Sequence, residues 1–392
     1  MRRGATLAAV AAAALGVLLP LGAPGTTPAG VAAPATSGGT VLEQTLVLDW
    51  RGARYDGESR VVGTVPGIGT LTARCRRDGT SLRLAPYDRT RETQMWLAKH
   101  EVKGGQQVVA VKTARVYRWA TRADDGRGGT GPTAAEGLNQ RWPIEDDSTG
   151  GYAHGLVSQR PGRRSDAAGV PTPAPTSVSA TWTWRSLRSD PDRSSCRVVV
   201  RLRTDMTGRE AAGRRVVDSA RSRWVRLGDD VIRVGRTARL LDRPSSRLTL
   251  DWHGVADAAD GGSAASAPLG DLGRLRLRCD PPDPADTGDP TADVTLEVPP
   301  SARSASVYVE QISGEGAVGD HVETYETGLD PDTGAVGPIA LPPNGMLRLY
   351  PAVDLGEGSV VAPLVVSSYR VTNDREHPGR NLCEVAVGPW AD

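Results

Sequence analysis

Trp182 and Trp184 stand two apart in a run of alternating residues, the spacing that sets both rings on one face of a strand. Two indoles side by side make a flat platform for stacking on a sugar, and this pair is the candidate ligand-binding element of the chain. The same spacing also serves a hydrophobic core. At the matching place later in the chain stand Tyr369 and Val371, which keep bulk but lose the platform. Core packing is therefore the expected role, and sugar binding, if the chain does it, belongs to its first half.

Catalytic chemistry has thin support. The five histidines, His100, His154, His253, His321 and His377, are scattered, and none recurs at a matching place. The chain has no Gly-x-Ser-x-Gly elbow, His-Glu-x-x-His helix or phosphate-binding glycine loop. Carboxylate pairs are spread through acidic loops, so none can be singled out for glycosidic chemistry. Asp330-Pro331-Asp332-Thr333-Gly334 opens like a calcium loop but lacks the later ligands and the closing glutamate, and a tight turn explains it. Glu145 to Gly150 is weaker still. No metal or cofactor is expected. A hydrolase reading would gain ground if His154 stood beside a carboxylate and a hydroxyl in a closed pocket.

The four cysteines carry the clearest structural signal. Leu46-Val47-Leu48-Asp49-Trp50 leads to Cys75, and Leu248-Thr249-Leu250-Asp251-Trp252 leads to Cys279. Each stretch later reaches a second cysteine, Cys196 or Cys383, lying 14 positions after Trp182 in one case and after Tyr369 in the other. Further echoes pair Leu82-Arg83-Leu84 with Leu296-Glu297-Val298, and Arg141-Trp142-Pro143 with Leu349-Tyr350-Pro351. This is the pattern of a tandem duplication. It predicts Cys75 bonded to Cys196 and Cys279 bonded to Cys383, because a domain that once stood alone must close its own bridge. Each bridge would contribute about 4 to 5 kcal/mol on the chain-entropy estimate. A zinc site would need Cys-x-x-Cys or His-x-His spacing, which is missing. In both Asp-Trp pairs the tryptophan is expected to point inward, beside the disulfide.

Composition bounds the setting. Arg2 and Arg3 precede an apolar run from Ala5 to Leu19, with small residues at Val31-Ala32-Ala33, which reads as an export signal over 1–33. As a membrane anchor the run is too short, Pro20 breaks it and no basic cluster follows. An even, low cysteine count suits an oxidising compartment. Arginines number 44 against 3 lysines, with no phenylalanine, which is the codon bias of a high-GC genome and not a nucleic-acid footprint. A formal net charge of +1 agrees, and neither nucleic acid nor membrane is an expected partner.

The elements that must position these residues are short alternating runs split by Gly, Pro and Asp. Thr45 to Leu48, Leu71 to Arg74, Leu82 to Leu84, Val108 to Val111, Val198 to Leu202, Leu275 to Leu277, Val294 to Val298, Val307 to Val309, Met346 to Tyr350, Val360 to Arg370 and Val385 to Val387 read as strands. The best helical candidate is Glu210 to Trp224, weakened by Gly213. Residues 121 to 176 read as long polar loops. The expected fold is all-β, with two tandem, duplicated antiparallel β-sandwiches, immunoglobulin-like by architecture only. A spacer over 34–40 precedes a first β-domain over 41–205, an arginine-rich connector over 206–242, and a second β-domain over 243–392. The connector, with Arg221, Arg223, Arg226, Arg233, Arg236 and Arg239, is basic where 280–340 is acidic, and could lie against those acidic loops. The expected function is non-enzymatic: an exported binding or surface protein, with a cell-wall polymer or secreted protein as partner. The alternative is a secreted hydrolase of polysaccharide or protein with its site in the long loops of the first domain.

Overall fold

The structure is a computed structural model, which describes residues 41–52, 59–76, 79–87, 93–103, 106–116, 134–138, 146–159, 173–187, 189–205, 215–218, 223–227, 230–234, 239–241, 248–253, 262–281, 291–313, 321–371 and 381–389. Among these residues there is no α-helix, and the chain is β nearly throughout. The predicted signal, the spacer, Arg141-Trp142-Pro143, Arg221, Arg236 and His377 lie outside the described residues.

The first half consists of β1 (Val41–Arg51), β2 (Ser59–Val65), β3 (Gly69–Arg76), β4 (Gly79–Pro86), β5 (Thr93–Lys103), β6 (Gln106–Val116), β7 (Ala134–Gly137), β8 (Asp146–Gln159), β9 (Thr176–Leu187) and β10 (Ser195–Asp205). Four short strands follow: β11 (Arg215–Asp218), β12 (Arg223–Leu227), β13 (Asp230–Val234) and β14 (Arg239–Leu241). The second half runs through β15 (Leu248–His253), β16 (Ala264–Pro268), β17 (Arg274–Cys279), β18 (Ala292–Glu297), β19 (Ser304–Ser313), β20 (His321–Asp330), β21 (Ala335–Ala340), β22 (Asn344–Asp354), β23 (Ser359–Val361), β24 (Leu364–Val371) and β25 (Leu382–Pro389).

Strand order in the two halves corresponds position by position. The first half has one sheet ordered β1-β10-β9-β8-β5-β6, with β14 added outside β1, and a second ordered β2-β3-β4-β7. The second half runs β15-β25-β24-β22-β19-β20, then continues through β21-β18-β17-β16 as a single sheet. The continuation is made by β20, whose Leu329 and Asp330 pair with Val336 and Ala335 of β21. The second half is thus a nearly closed sheet, whereas the first keeps two. In the first half the seam between β1 and β2 is bridged by a side chain: the Gln44 amide donates to the Thr64 carbonyl at 2.5 Å and accepts from the Thr64 amide at 3.1 Å. A carboxamide has one donor and one acceptor group, so it can stand in for a ladder residue.

Alternation makes each strand two-faced. In β10, Cys196, Val198, Val200 and Leu202 are fully buried while Arg197 and Arg201 are exposed. In β17, Leu275, Leu277 and Cys279 point in, and Arg276 and Arg278 point out to Glu297 and Asp293 at 2.9 and 2.7 Å. Each half has its own core, with Ile68, Leu71, Leu82, Leu84, Met95 and Leu202 in the first and Leu275, Leu277, Val309, Leu347, Val366 and Val385 in the second. The disulfides pair as expected, Cys75 with Cys196 and Cys279 with Cys383, inside those cores.

The main sheets of the two halves pack outer face to outer face. Trp96 and Leu156 meet Ala386 and Tyr369, with the Trp96 and Tyr369 rings 6.0 Å apart. Ala98 and Tyr152 meet Ile312, Met346 and Val365. Through this contact residues 38–392 form one compact unit.

Four details differ from expectation. The candidate helix Glu210 to Trp224 holds strand β11 and the start of β12, and the two strands pair antiparallel from Arg215↔Arg226 to Asp218↔Arg223. Val216 and Val217 lose rotamer freedom in a helix and favour a strand, as does Val225 just beyond the candidate. The supposed loop over 121 to 176 contains β7 and β8, and β8 is central to its sheet. The run Val360 to Arg370 is two strands, split at Pro363, which has no amide hydrogen to give the ladder. Finally, Cys196 pairs with Trp184 and Cys383 with Arg370, so Trp184 corresponds to Arg370 and not to Val371. The second hairpin is one residue longer, and a slip of one residue turns Tyr369 to the opposite face.

Candidate functional site

The tryptophans come first. Trp182 and Trp184 share the inner face of β9 and are 3% and 6% exposed, so neither ring offers a face to solvent. The Trp184 indole N–H donates to the Arg76 carbonyl at 3.0 Å, next to Cys75. Trp252 does the same job from the other flank in the second half, donating to the Cys279 carbonyl at 2.9 Å with no exposed surface. Trp50 faces inward opposite Cys196 but is only half-buried. One tryptophan thus covers each disulfide, from β9 in one half and from β15 in the other.

Histidine 154 is the histidine whose surroundings resemble a site. Its Nδ1 lies 2.5 Å from Oγ of Ser367, across the contact between the halves, and it is 1% exposed. Burial, helped by the Arg203 charge, lowers its pKa to about 3, so the ring is neutral near neutral pH. Tyr152 stacks on it at 6.3 Å, and burial raises that phenol well above its ordinary value. Glu384, the nearby carboxylate of the same contact, accepts instead from Gln94 at 3.0 Å and from Ser158 at 2.5 Å. The hydroxyl is present, but the carboxylate is bound elsewhere and the group is sealed between two sheets. His100 is buried on the same face, while the side chains of His253 and His321 lie outside the described residues.

Asp330 makes the turn its sequence suggests. Its carboxylate accepts from the Asp332 amide at 2.9 Å and the Thr333 hydroxyl at 3.0 Å, and these bonds hold its pKa below the usual carboxylate value. Gly334 follows with φ +67, joining β20 to β21. Among the described residues no group of three or more metal-ligating side chains is gathered. The connector's β13 approaches β2 of the first half, and its arginine side chains lie outside the described residues.

An open depression remains, of about 360 Å³, at one end of β1, β10 and β9. Pairing brings it together: Asp49 stands opposite Arg197, and Arg51 opposite Ser195, which in turn faces Arg185. All of these lie on the outer face, because Trp50 and Cys196 take the inner one. A 3-10 turn over Pro191–Arg193 closes the end and adds Asp192 and Arg193. Four guanidinium groups therefore surround the space against the two carboxylates Asp49 and Asp192. Asp49 serves Arg197 at 3.3 Å and Arg51 at 4.0 Å. Arg193 reaches Asp190 at 4.0 Å, and Arg185 makes no ion pair among the described residues. Such exposed pairs are worth about 0 to 1 kcal/mol each, so the arginines can exchange them for an incoming anion at little cost.

This depression had no signature in the sequence. Its residues come from strands about 140 positions apart, brought together by pairing, and single arginines in so arginine-rich a chain give no contrast. No family model matches the sequence, and neither the curated proteins nor the solved structures contain a match. Two disulfides fit an extracellular protein, and among the described residues no helix is long and apolar enough to cross a membrane.

Proposed function

We propose that this is an exported, non-enzymatic binding or surface protein, built by duplication of one immunoglobulin-like sandwich, whose first half binds anionic groups in the arginine-lined depression. Repeated cysteines, Asp-Trp pairs and the parallel strand orders support the duplication. The ligand would be an acidic cell-wall polymer or an acidic face of a secreted protein. The observation that carries this reading is the convergence of Arg51, Arg185, Arg193 and Arg197 on one open space, with Arg185 making no ion pair among the described residues. Planar guanidinium groups suit carboxylate and phosphate, and several of them around one space suit a polymer that presents such groups repeatedly.

Binding of the mature protein to a carboxylated or phosphorylated wall polymer, compared with a neutral glucan, tests the reading. The acidic polymer should bind, and binding should weaken as salt rises, since screening lengths fall to about 8 Å at physiological ionic strength. Arg185→Glu together with Arg197→Glu should abolish it while leaving the thermal midpoint nearly unchanged. Equal binding to the neutral glucan, or binding indifferent to the double substitution, would refute it.

A further inference from the structure

The arginine-lined depression is one end of a longer surface. Beyond its mouth the outer face of β10 carries Arg197, Val199 and Arg201 in turn. Val199 stands between Val47 of β1 and Thr181 of β9, and Arg201 stands beside Ser179 of β9. Val47 is 49% exposed, and Arg201 is exposed with no ion pair or hydrogen bond among the described residues. Glu43, farther along β1, is taken by Arg203 at 2.7 Å and does not serve Arg201. A strand rises about 3.3 Å per residue, which puts the Cα atoms of Arg197 and Arg201 about 13 Å apart. The face therefore reads cation, apolar step, cation.

The second half shows the same face occupied. Counting from Cys196 and Cys383, the positions of Arg197, Val199 and Arg201 are those of Glu384, Ala386 and Gly388 in β25. All three are pressed against the first half. Glu384 accepts from Gln94 and Ser158, Ala386 packs with Trp96 and Leu156, and a Cβ on Gly388 would come within 2.7 Å of His154. In β10, long arginines take the place of the small residues that let a sheet lie close. That leaves room for a single extended chain of opposite charge. Valines between the cations suit the C–H face of a sugar ring, and the hydroxyls of Thr181 and Ser179 suit sugar hydroxyls, as donors or as acceptors. A polyol phosphate chain has no such flat face to offer.

We infer, resting on the anion-binding reading above, that the ligand is a linear acidic polysaccharide lying lengthwise along β10. One charged sugar fills the depression at Arg185 and Arg197, a neutral sugar rests on Val47 and Val199, and the next charged sugar meets Arg201. Arg201 is then a second anion subsite, outside the depression itself. Guanidinium groups on flexible stems bind carboxylate at both places and take up the mismatch between the strand's spacing and the polymer's.

Hyaluronan oligosaccharides, in which a carboxylated sugar alternates with a neutral one, test this by calorimetric titration of the mature protein. The disaccharide carries one carboxylate and reports on the depression alone. The tetrasaccharide carries two and should bind about tenfold tighter, the gain from one further charge-assisted contact. Arg201→Gln should erase that gain and leave the disaccharide affinity and the thermal midpoint unchanged, since Arg201 is an exposed residue. Equal affinities for the two oligosaccharides, or a gain that survives Arg201→Gln, would overturn the inference and leave the depression as an anion site. An oligomer of poly(glycerol phosphate) that binds where neither oligosaccharide does, or that shows the same Arg201-dependent gain, would overturn the polysaccharide as ligand while sparing the anion-binding reading. Failure of all three to bind would overturn both.

Discussion

Acid should weaken this protein through His154, and the size of the effect can be worked from its position. The ring is held at about 3 against an ordinary 6.5, chiefly by burial and then by the Arg203 charge. A base whose folded pKa is depressed contributes its full stability above the unfolded value and loses it as the pH falls. Between the two values the unfolded chain takes up a proton that the folded chain refuses, which costs about 1.4 kcal/mol per pH unit. Moving from pH 7 to roughly pH 5 should therefore remove about 2 kcal/mol, and the loss should continue to roughly pH 3. His154→Gln keeps a neutral group able to bond Ser367 and removes the titration. Urea unfolding of both proteins at the two pH values isolates the term, since every other titrating group is common to both. The wild type should lose about 2 kcal/mol more than the variant. Equal losses would mean that His154 is not buried neutral at the contact between the halves.

Two further outcomes follow from burial. Trp252→Ala should cost about 3 to 5 kcal/mol in chemical unfolding and Trp50→Ala clearly less, because Trp252 is fully buried and Trp50 is not; equal costs would contradict the assignment of the disulfide cover to Trp252. Ser158→Ala leaves one buried oxygen of Glu384 without the donor it has now, and should lower the unfolding free energy by about 1 to 3 kcal/mol; an unchanged midpoint would show that this bond does not hold the halves together.

What could be read from the sequence was whatever has period two and apolar contrast. The β-rich character and most strands of both cores follow from alternation such as that of Leu275, Leu277 and Cys279, and the disulfides follow from the recurrence of Trp before Cys. Strand β8 was hidden for a steric reason. Gly155 lies so close to the Trp96 carbonyl that a Cβ would come within 1.9 Å, and Gly151 lies under Trp182, so the sites that look like loop glycines are those where neighbours press on the backbone. The outer-face residues Gln94, His154, Ser158, Ser367 and Glu384 carry the polar pattern of a solvated sheet. Nothing local distinguishes a face that meets water from one that meets another polar-patterned face.

That second face explains why the candidate site belongs to the first half alone. Counting from the disulfides, Asp49 and Arg197 stand where Asp251 and Glu384 stand in the second half, since each pair lies one step from its Trp and Cys. In the first half the position opposite the aspartate is an exposed arginine at the mouth of the depression. In the second it is a glutamate with no exposed surface, bound by Gln94 and Ser158 of the other sheet. The apolar contacts of Trp96, Tyr369, Ile312 and Met346 hold the sheets together, but they tolerate sliding. The hydrogen bonds of Glu384 and His154 are directional, and a shifted alignment would leave them buried and unmade, at about 1 to 3 kcal/mol each. The polar residues of the second half thus fix one alignment of the two sheets. In that alignment the second half covers β5 and β8, and leaves the arginines at the ends of β1, β10 and β9 open to solvent.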